Sequence, residues 1–149
     1  MDALDTNLLV YAHNTASPFH PQAKAFIEKV MNERDAEGKL LVCIPGQVLM
    51  EFLNVITRNQ LESPLSLHNA TQLVQDYIDT GITILYPKST QLTTLLNLLK
   101  SVTTRQKVFD VALVATLKDH GIAGLYTVNT GDFAQFTFLD VKNPFSRFV

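Results

Sequence analysis

Short apolar runs that alternate with longer segments of helical periodicity are the feature that most restricts the fold. Residues 40–44 and 82–86 are continuous apolar or β-branched runs, each followed by a proline, as is typical of short strands buried on both faces. Helical periodicity fills the segments 46–59 and 108–120. This alternation predicts an α/β fold, a three-layer α/β/α sandwich with a central parallel sheet.

The remaining elements fit the same pattern. Further strands are predicted at residues 1–4, 125–128 and 138–141, and further helices begin near Pro21, Ser66 and Thr90. Gly38, Gly81 and Gly121 are predicted to close the helices that precede them. We expect residues 1–149 to form a single domain, because a chain of this length can bury a core without disulfides or metals to support it.

Composition and charge narrow the classes of function. Cys43 is the only cysteine, which excludes an intramolecular disulfide and a cysteine-based zinc site and suits a reducing compartment. No apolar run is long enough for a membrane span and no signal peptide is evident, so we expect a cytoplasmic protein. The net charge is −2 and there is no basic run. A nucleic-acid partner would therefore require another source of positive charge.

Polar side chains follow two of the predicted strands at the point where each strand ends. Asp5 and Asn7 follow the first strand, and Asn129 and Asp132 follow a later one. The carboxyl ends of parallel strands meet at one edge of a sheet, where ligands bind in such folds. Either group taken alone is equally explained by the preference of Asp and Asn for turns and helix N-caps.

Asp110 lies in an otherwise apolar helical pattern. Leu113, Val114 and Leu117 follow it at helical spacing, which puts its carboxylate on the core-facing stripe. A lone ionised carboxylate there would require a cation, a metal or a set of backbone donors. The alternative is that Asp110 caps the start of its helix, and the sequence leaves both interpretations open.

Glu51 also has two interpretations. On a helical wheel it shares a narrow polar stripe with Gln47, Asn54 and Arg58, within a segment that is otherwise apolar. The stripe faces either solvent or a polar cavity. Asp5, Glu51, Asp110 and Asp132 could then converge beside the sheet, where their mutual repulsion would raise their pKa values. A divalent cation would relieve that repulsion, and an all-oxygen set suits Mg²⁺ or Mn²⁺.

Four segments carry these residues, with the sequences DTN at 5–7, QVLMEF at 47–52, FDVALVAT at 109–116 and TVNTGDF at 127–133. In order and setting they resemble the four acidic motifs of PIN domains. The resemblance spans nearly the whole chain, and its size and motif context look most like the VapC toxins of bacterial toxin–antitoxin modules.

The resemblance implies a ribonuclease that uses Mg²⁺ or Mn²⁺ to hydrolyse RNA phosphodiester bonds, leaving 5′-phosphate and 3′-hydroxyl ends. Asp5, Glu51, Asp110 and Asp132 would be the catalytic acids. The three aspartates would bind the metal, and the glutamate would bind it directly or through water. Thr6, Asn7, Thr127 and Asn129 would orient the acids and hold waters. A cognate antitoxin would be the protein partner, with its tail blocking the acidic site.

The same residues argue against two other functions. A haloacid-dehalogenase-like phosphatase needs a second acid two residues after Asp5, where this chain has Asn7. A receiver-type signalling domain needs an acidic pair near its first strand and a late strand-end lysine, and neither is evident. A PIN domain that acts in RNA processing, or that binds RNA or protein with little catalysis, stays open as the alternative.

Two further expectations concern surfaces. Arg58, Arg105, Lys107 and Lys118 flank the acidic motifs and are candidate phosphate contacts, although any one of them is equally a solvated surface charge. The helices between Gly46 and Thr80 carry more apolar surface than one side of a small sheet needs. This excess favours a homodimer or a groove for a partner helix.

Overall fold

Five short parallel strands form the central sheet of the computed structural model, which describes residues 1–103 and 107–145. They are β1 (Asp2–Leu4), β2 (Val42–Pro45), β3 (Thr83–Leu85), β4 (Gly124–Tyr126) and β5 (Asp140–Lys142). Their order across the sheet is β3-β2-β1-β4-β5, and every neighbouring pair is parallel. The predicted parallel sheet is confirmed.

Six α-helices flank this sheet within the described residues. They are α1 (Thr6–His13), α2 (His20–Val30), α3 (Gly46–Ile56), α4 (Leu67–Asp79), α5 (Gln91–Lys100) and α6 (Val108–Asp119). Helix α1 packs against α2 and α3, α3 packs against α4, and α5 packs against α6. A 3₁₀ turn over Thr130–Phe133 follows β4. None of the helices described is long and apolar enough to cross a membrane.

The strand order changes direction at β1, because β2 and β3 lie on one side of it and β4 and β5 on the other. Strand β1 lies between β2 and β4, and Leu4 is in register with Tyr126. The residues that follow these two strands are therefore neighbours, and the Asp5 amide donates to the Tyr126 carbonyl at 3.0 Å. In a parallel α/β sheet, such a switch point opens a crevice at the carboxyl ends of the strands.

The end of α2 corrects one expectation. The helix ends at Val30 rather than at Gly38, and the Asn32 side-chain amide donates to the Glu28 carbonyl in its last turn at 2.6 Å. Gly38 belongs instead to a separate turn stabilised by Asp35. The Asp35 carboxylate accepts hydrogen bonds at 2.9 Å from the amides of Glu37 and Lys39. Gly38 lies within this turn at a φ of +81°. Aspartate side chains that bond to nearby amides compete with helix in this way.

The other predicted boundaries shift by a few residues. Helix α3 ends at Ile56 instead of Asn59, and the Thr57 hydroxyl donates to the Leu53 carbonyl at 2.7 Å. The strands are also displaced or shorter than the apolar runs that predict them, because apolar residues beside a strand pack into the same core. Gly81 and Gly121 follow the ends of α4 and α6 at φ values of +80° and +69°, so their predicted role is confirmed.

Candidate active site

A cavity of about 520 Å³ opens beside the carboxyl ends of β1 and β4, and the four predicted carboxylates all line it. They are Asp5, Glu51, Asp110 and Asp132, and they come from four separate parts of the chain. Thr6, Asn7 and Asn129 line the same cavity, whereas Thr127 is fully buried behind Asp5. The fold therefore brings together the residues that the sequence singles out.

Asp5 is the most constrained of the four acids. It is the N-cap of α1, and one carboxylate oxygen, Oδ1, accepts from the Thr6 amide at 2.7 Å. The other oxygen, Oδ2, accepts from the Thr127 hydroxyl at 2.7 Å and from the Asn7 side-chain amide at 3.3 Å. The N-cap preference and the functional interpretation of Asp5 are thus compatible, because one side chain caps the helix and faces the cavity.

Burial has the largest effect on the pKa of Asp5, because only 7% of this residue is exposed to solvent. Burial raises the pKa of Asp5 from 3.8 to about 6, against the lowering effect of the Thr127 and Thr6 hydrogen bonds. The negative charges of Asp110 and Glu51 raise it further. Asp5, Asp110 and Glu51 are therefore close enough for their charges to repel one another.

The buried Thr127 hydroxyl connects Asp5 to its neighbours through hydrogen bonds. It donates to Asp5 and accepts from the Asn7 side chain and the Asn129 amide, both at 3.1 Å. Asn7 completes the group by accepting from the Val128 amide at 3.2 Å through its Oδ1. Thr127 and Asn7 therefore bond directly to Asp5, whereas Asn129 reaches Thr127 only through its backbone amide. The orienting role of these residues stays a prediction.

Replacing Thr127 by Val should destabilise the protein by about 1–3 kcal/mol. The amide groups of Asn7 and Asn129 would lose their acceptor, and the Asp5 carboxylate would lose a donor. Urea unfolding at neutral pH measures this change. Thr127→Ser keeps the hydroxyl and should lie much closer to the wild type. Equal stability of the Val variant and the wild type would show that the hydroxyl is not a structural support of Asp5.

Glu51 lines the cavity from α3, whereas Asn54 of the same predicted stripe is exposed and does not line it. Its Oε2 accepts from the Thr6 hydroxyl at 2.8 Å, and its Oε1 accepts from the Gln47 side-chain amide at 3.1 Å. Arg58, on the same stripe, also lines the cavity. Each oxygen of Glu51 therefore has a donor that fixes its direction.

The structure decides between the two interpretations of Asp110. The capping interpretation is wrong, because Lys107 occupies the N-cap position and Asp110 is the third residue of the helix. Asp110 lies one turn before the buried Leu113 and Val114, on the predicted stripe, and its half-buried side chain lines the cavity. Burial raises the pKa of Asp110, and the negative charge of Asp132 raises it further.

Asp132 is an exposed member of the group and lies on the 3₁₀ turn after β4. Its amide donates to the Asn129 carbonyl at 3.1 Å, which fixes the turn next to the cavity. Within the described part of the chain, neither Asp110 nor Asp132 has a hydrogen-bond donor on its carboxylate comparable to those of Asp5 and Glu51. These two carboxylates thus retain lone pairs for a ligand.

The residues fit a hard divalent cation by their chemistry. All four acidic side chains offer oxygen, and their mutual repulsion would be relieved by a positive ion. Over residues 1–103 and 107–145, however, no group of three or more His, Cys, Asp or Glu side chains is arranged to hold a metal ion. The donor set fits, and the metal itself belongs to the proposal below.

Of the basic residues named as candidate phosphate contacts, two line the cavity. Arg58 and Lys107 line the cavity, whereas Lys118 lies over the ring of Phe138, 5.4 Å from its centroid. Arg105 lies outside the described residues. The cavity therefore has positive side chains just after the helix that carries Glu51 and at the start of the helix that carries Asp110.

Tyr11 and Asn14 also line the cavity, and the sequence interpretation did not include them. They lie four and seven residues after Asn7, which is the spacing of one helical face. That spacing is the signal that could have identified them. It was hidden by the apolar run around Tyr11, which predicts only burial.

Comparisons with known proteins agree with this geometry. A family model described as the PIN domain matches residues 3–139. Ribonuclease VapC24 of Mycobacterium tuberculosis is 28% identical over 145 residues, which cover 97% of each chain.

Solved structures share the fold. VapC20 of Mycobacterium tuberculosis, described as a sarcin–ricin loop cleaving toxin, superposes with a TM-score of 0.69 at 17% identity over 96% of this chain and all of that one. A toxin–antitoxin complex from Klebsiella pneumoniae gives a TM-score of 0.66 at 19% identity, covering 97% of this chain and 98% of that one. Because the family model spans most of the chain and all four carboxylates, the chain belongs to the PIN-domain family.

Proposed function

We propose that this chain is a metal-dependent endoribonuclease, with residues 1–149 acting as one nuclease domain, and that it is the toxin of a toxin–antitoxin pair. The observation that carries the proposal is the convergence of Asp5, Glu51, Asp110 and Asp132 on one cavity. The name of the mycobacterial relative, a ribonuclease, supports the reaction class. Mg²⁺ or Mn²⁺ is the proposed cofactor.

In this proposal Asp5, Asp110 and Asp132 hold the cation, and Glu51 binds it directly or through a water. A divalent cation bound by such carboxylates activates a water molecule and stabilises the leaving oxygen of a phosphodiester. Thr6 and Gln47 fix the direction of Glu51. Thr127 and Asn7 fix Asp5 in the same way, so these two acids are preorganised.

The charge of the cavity explains why RNA binding would depend on the cation. The chain has a net charge of −2, and the acids at the site repel a phosphate. Arg58 and Lys107 line the cavity and are the proposed contacts for RNA phosphates. We therefore expect RNA affinity to increase when the divalent cation is present.

The ends of the RNA products test the proposed reaction. Attack by water at phosphorus should leave 5′-phosphate ends, which accept an adapter in ligation without prior phosphorylation. A pool of structured RNAs incubated with the purified protein and Mn²⁺ provides the substrate. New ends that carry only 5′-hydroxyl groups, or no new ends at all, would contradict the proposal.

Two partners belong to the same proposal. An antitoxin is the proposed protein partner, supported by the similarity to a toxin–antitoxin complex. A homodimer is supported by exposed apolar side chains on the helices between Gly46 and Thr80, where Met50 and Leu67 are 65% and 64% exposed. Light scattering of the purified chain tests the dimer, and a monomer at all concentrations would remove it.

A further inference from the structure

The Gln47 side chain bridges two elements of the candidate site. Gln47 lies in the first turn of α3, and its Nε2 donates to Glu51 Oε1 at 3.1 Å and to the Phe109 carbonyl at 2.8 Å. A side-chain amide nitrogen has two hydrogens, so both bonds can form at once. Phe109 immediately precedes Asp110 in α6. One amide group therefore contacts Glu51 and the backbone next to Asp110.

The bridge lies where α6 has little other support. Lys107, the N-cap of α6, forms no side-chain capping bond, and Val108 and Phe109 are 55% and 75% exposed. The first turn of α6 therefore gains little from burial. Two like charges, on Glu51 and Asp110, also repel one another across the cavity. Without a connection between α3 and α6, that repulsion would favour a wider separation of the two acids.

We propose that Gln47 is a positioning residue that sets the separation between Glu51 and Asp110, so that both carboxylates serve the same cation. This inference rests on the proposed function. Gln47 is not among the residues that line the acidic cavity, so it acts through Glu51 and the first turn of α6. Removing partners that orient metal-binding side chains typically lowers metal affinity or activity by about 10- to 100-fold.

The main test variant is Gln47→Met, which keeps the length of the side chain and removes its amide hydrogens. At saturating Mn²⁺ we expect kcat for RNA cleavage to fall by about 10- to 100-fold. KM for RNA should then be nearly unchanged, because the cation site is filled and Gln47 does not line the cavity. Mn²⁺ affinity, measured by calorimetry without RNA, should weaken by a similar factor. This second readout does not depend on catalysis.

The matched control is Gln75→Met on α4. Gln75 donates to Asp79 at 2.8 Å, which is the same glutamine-to-acid contact across one helical turn, but away from the cavity. This control should cleave RNA and bind Mn²⁺ like the wild type. Gln47→Glu is a second test, because glutamate has nearly the same shape as glutamine but repels both Glu51 and the Phe109 carbonyl. It should lose at least as much activity as Gln47→Met.

The outcomes separate the two proposals. If the wild type cleaves RNA and binds Mn²⁺ while Gln47→Met and Gln47→Glu match it in both, the positioning role is overturned and the proposed function stands. A Glu variant that retains wild-type activity would also overturn the role, since only side-chain shape would then matter. If neither the wild type nor Gln75→Met cleaves RNA or binds Mn²⁺, the proposed function fails and the bridge has no cation site to serve. Circular dichroism confirms the folding of each variant.

Discussion

Replacing Asp110 by Asn is expected to lower RNA cleavage by more than about 100-fold. Loss of a residue that only orients a metal ligand typically lowers activity by about 10- to 100-fold, and loss of a proposed ligand should lower it further. The carboxylate of Asp110 lines the cavity and lies near the charges of Asp132 and Glu51. Asparagine keeps the size of the side chain and removes its charge. The rate is measured with excess enzyme at saturating Mn²⁺, so that weak RNA binding does not conceal the chemical step.

The control for this variant is Asp79→Asn, which removes an exposed carboxylate on α4. It should cleave RNA at the wild-type rate. Both variants are purified by the same protocol, so loss of cleavage in Asp110→Asn alone shows that the activity does not come from a contaminating ribonuclease. Cleavage by Asp110→Asn within about twofold of the wild type would remove Asp110 from the group that acts on RNA, since a lost transition-state contact must lower kcat/KM.

Replacing Asp5 by Asn should stabilise the protein without divalent metal by up to about 3 kcal/mol at pH 7 to 8, the free-energy equivalent of raising a pKa from 3.8 to about 6. Asp5 is buried, and its charge is unfavourable there. Asparagine can still accept from the Thr6 amide as an N-cap. The gain will be smaller than this limit, because the new amide faces the donors of Asn7 and Thr127.

The raised pKa of Asp5 also determines how the stability of the protein depends on pH. Between pH values of about 4 and 6 the folded protein binds more protons at Asp5 than the unfolded chain does. The free energy of unfolding of the wild type, measured in EDTA, should therefore fall as pH rises through this range. Above about pH 6 the full penalty is present.

Urea unfolding of the wild type and Asp5→Asn in EDTA, from pH 4 to pH 8, checks this prediction. The curve of the variant should be flatter, and added Mn²⁺ should stabilise the wild type far more than the variant. A variant less stable than the wild type at pH 8 would show that the Asp5 charge is better compensated in the folded protein than its burial indicates.

The parallel fold could be predicted because its elements are local in sequence. A short apolar run before Pro45 and another before Pro87 specify strands, and Gly81 and Gly121 mark helix ends through their positive φ angles. The end of α2 could not be predicted in this way. Gly38 belongs to a turn that the Asp35 carboxylate organises with the following amides, and nothing in helical periodicity distinguishes such a turn from a helix end.

The site shows the same division between local and tertiary information. Asp5 and Asp132 could be placed at strand ends because the strand pattern itself positions them. The environment of Asp110 could not be derived, since it depends on how the start of α6 packs beside the cavity in the folded protein. Asn14, by contrast, shares a helical face with Asn7, and that spacing is a local signal for its position at the cavity.

The most direct test of the central claim is the rate at which the purified wild-type protein cleaves structured RNA in EDTA and after Mg²⁺ or Mn²⁺ is restored. The four carboxylates line one cavity and have no cationic partner within hydrogen-bonding contact among the described residues. We therefore predict no cleavage in EDTA and full recovery with either metal. Cleavage that continues unchanged in EDTA would contradict a metal-dependent site at these acids.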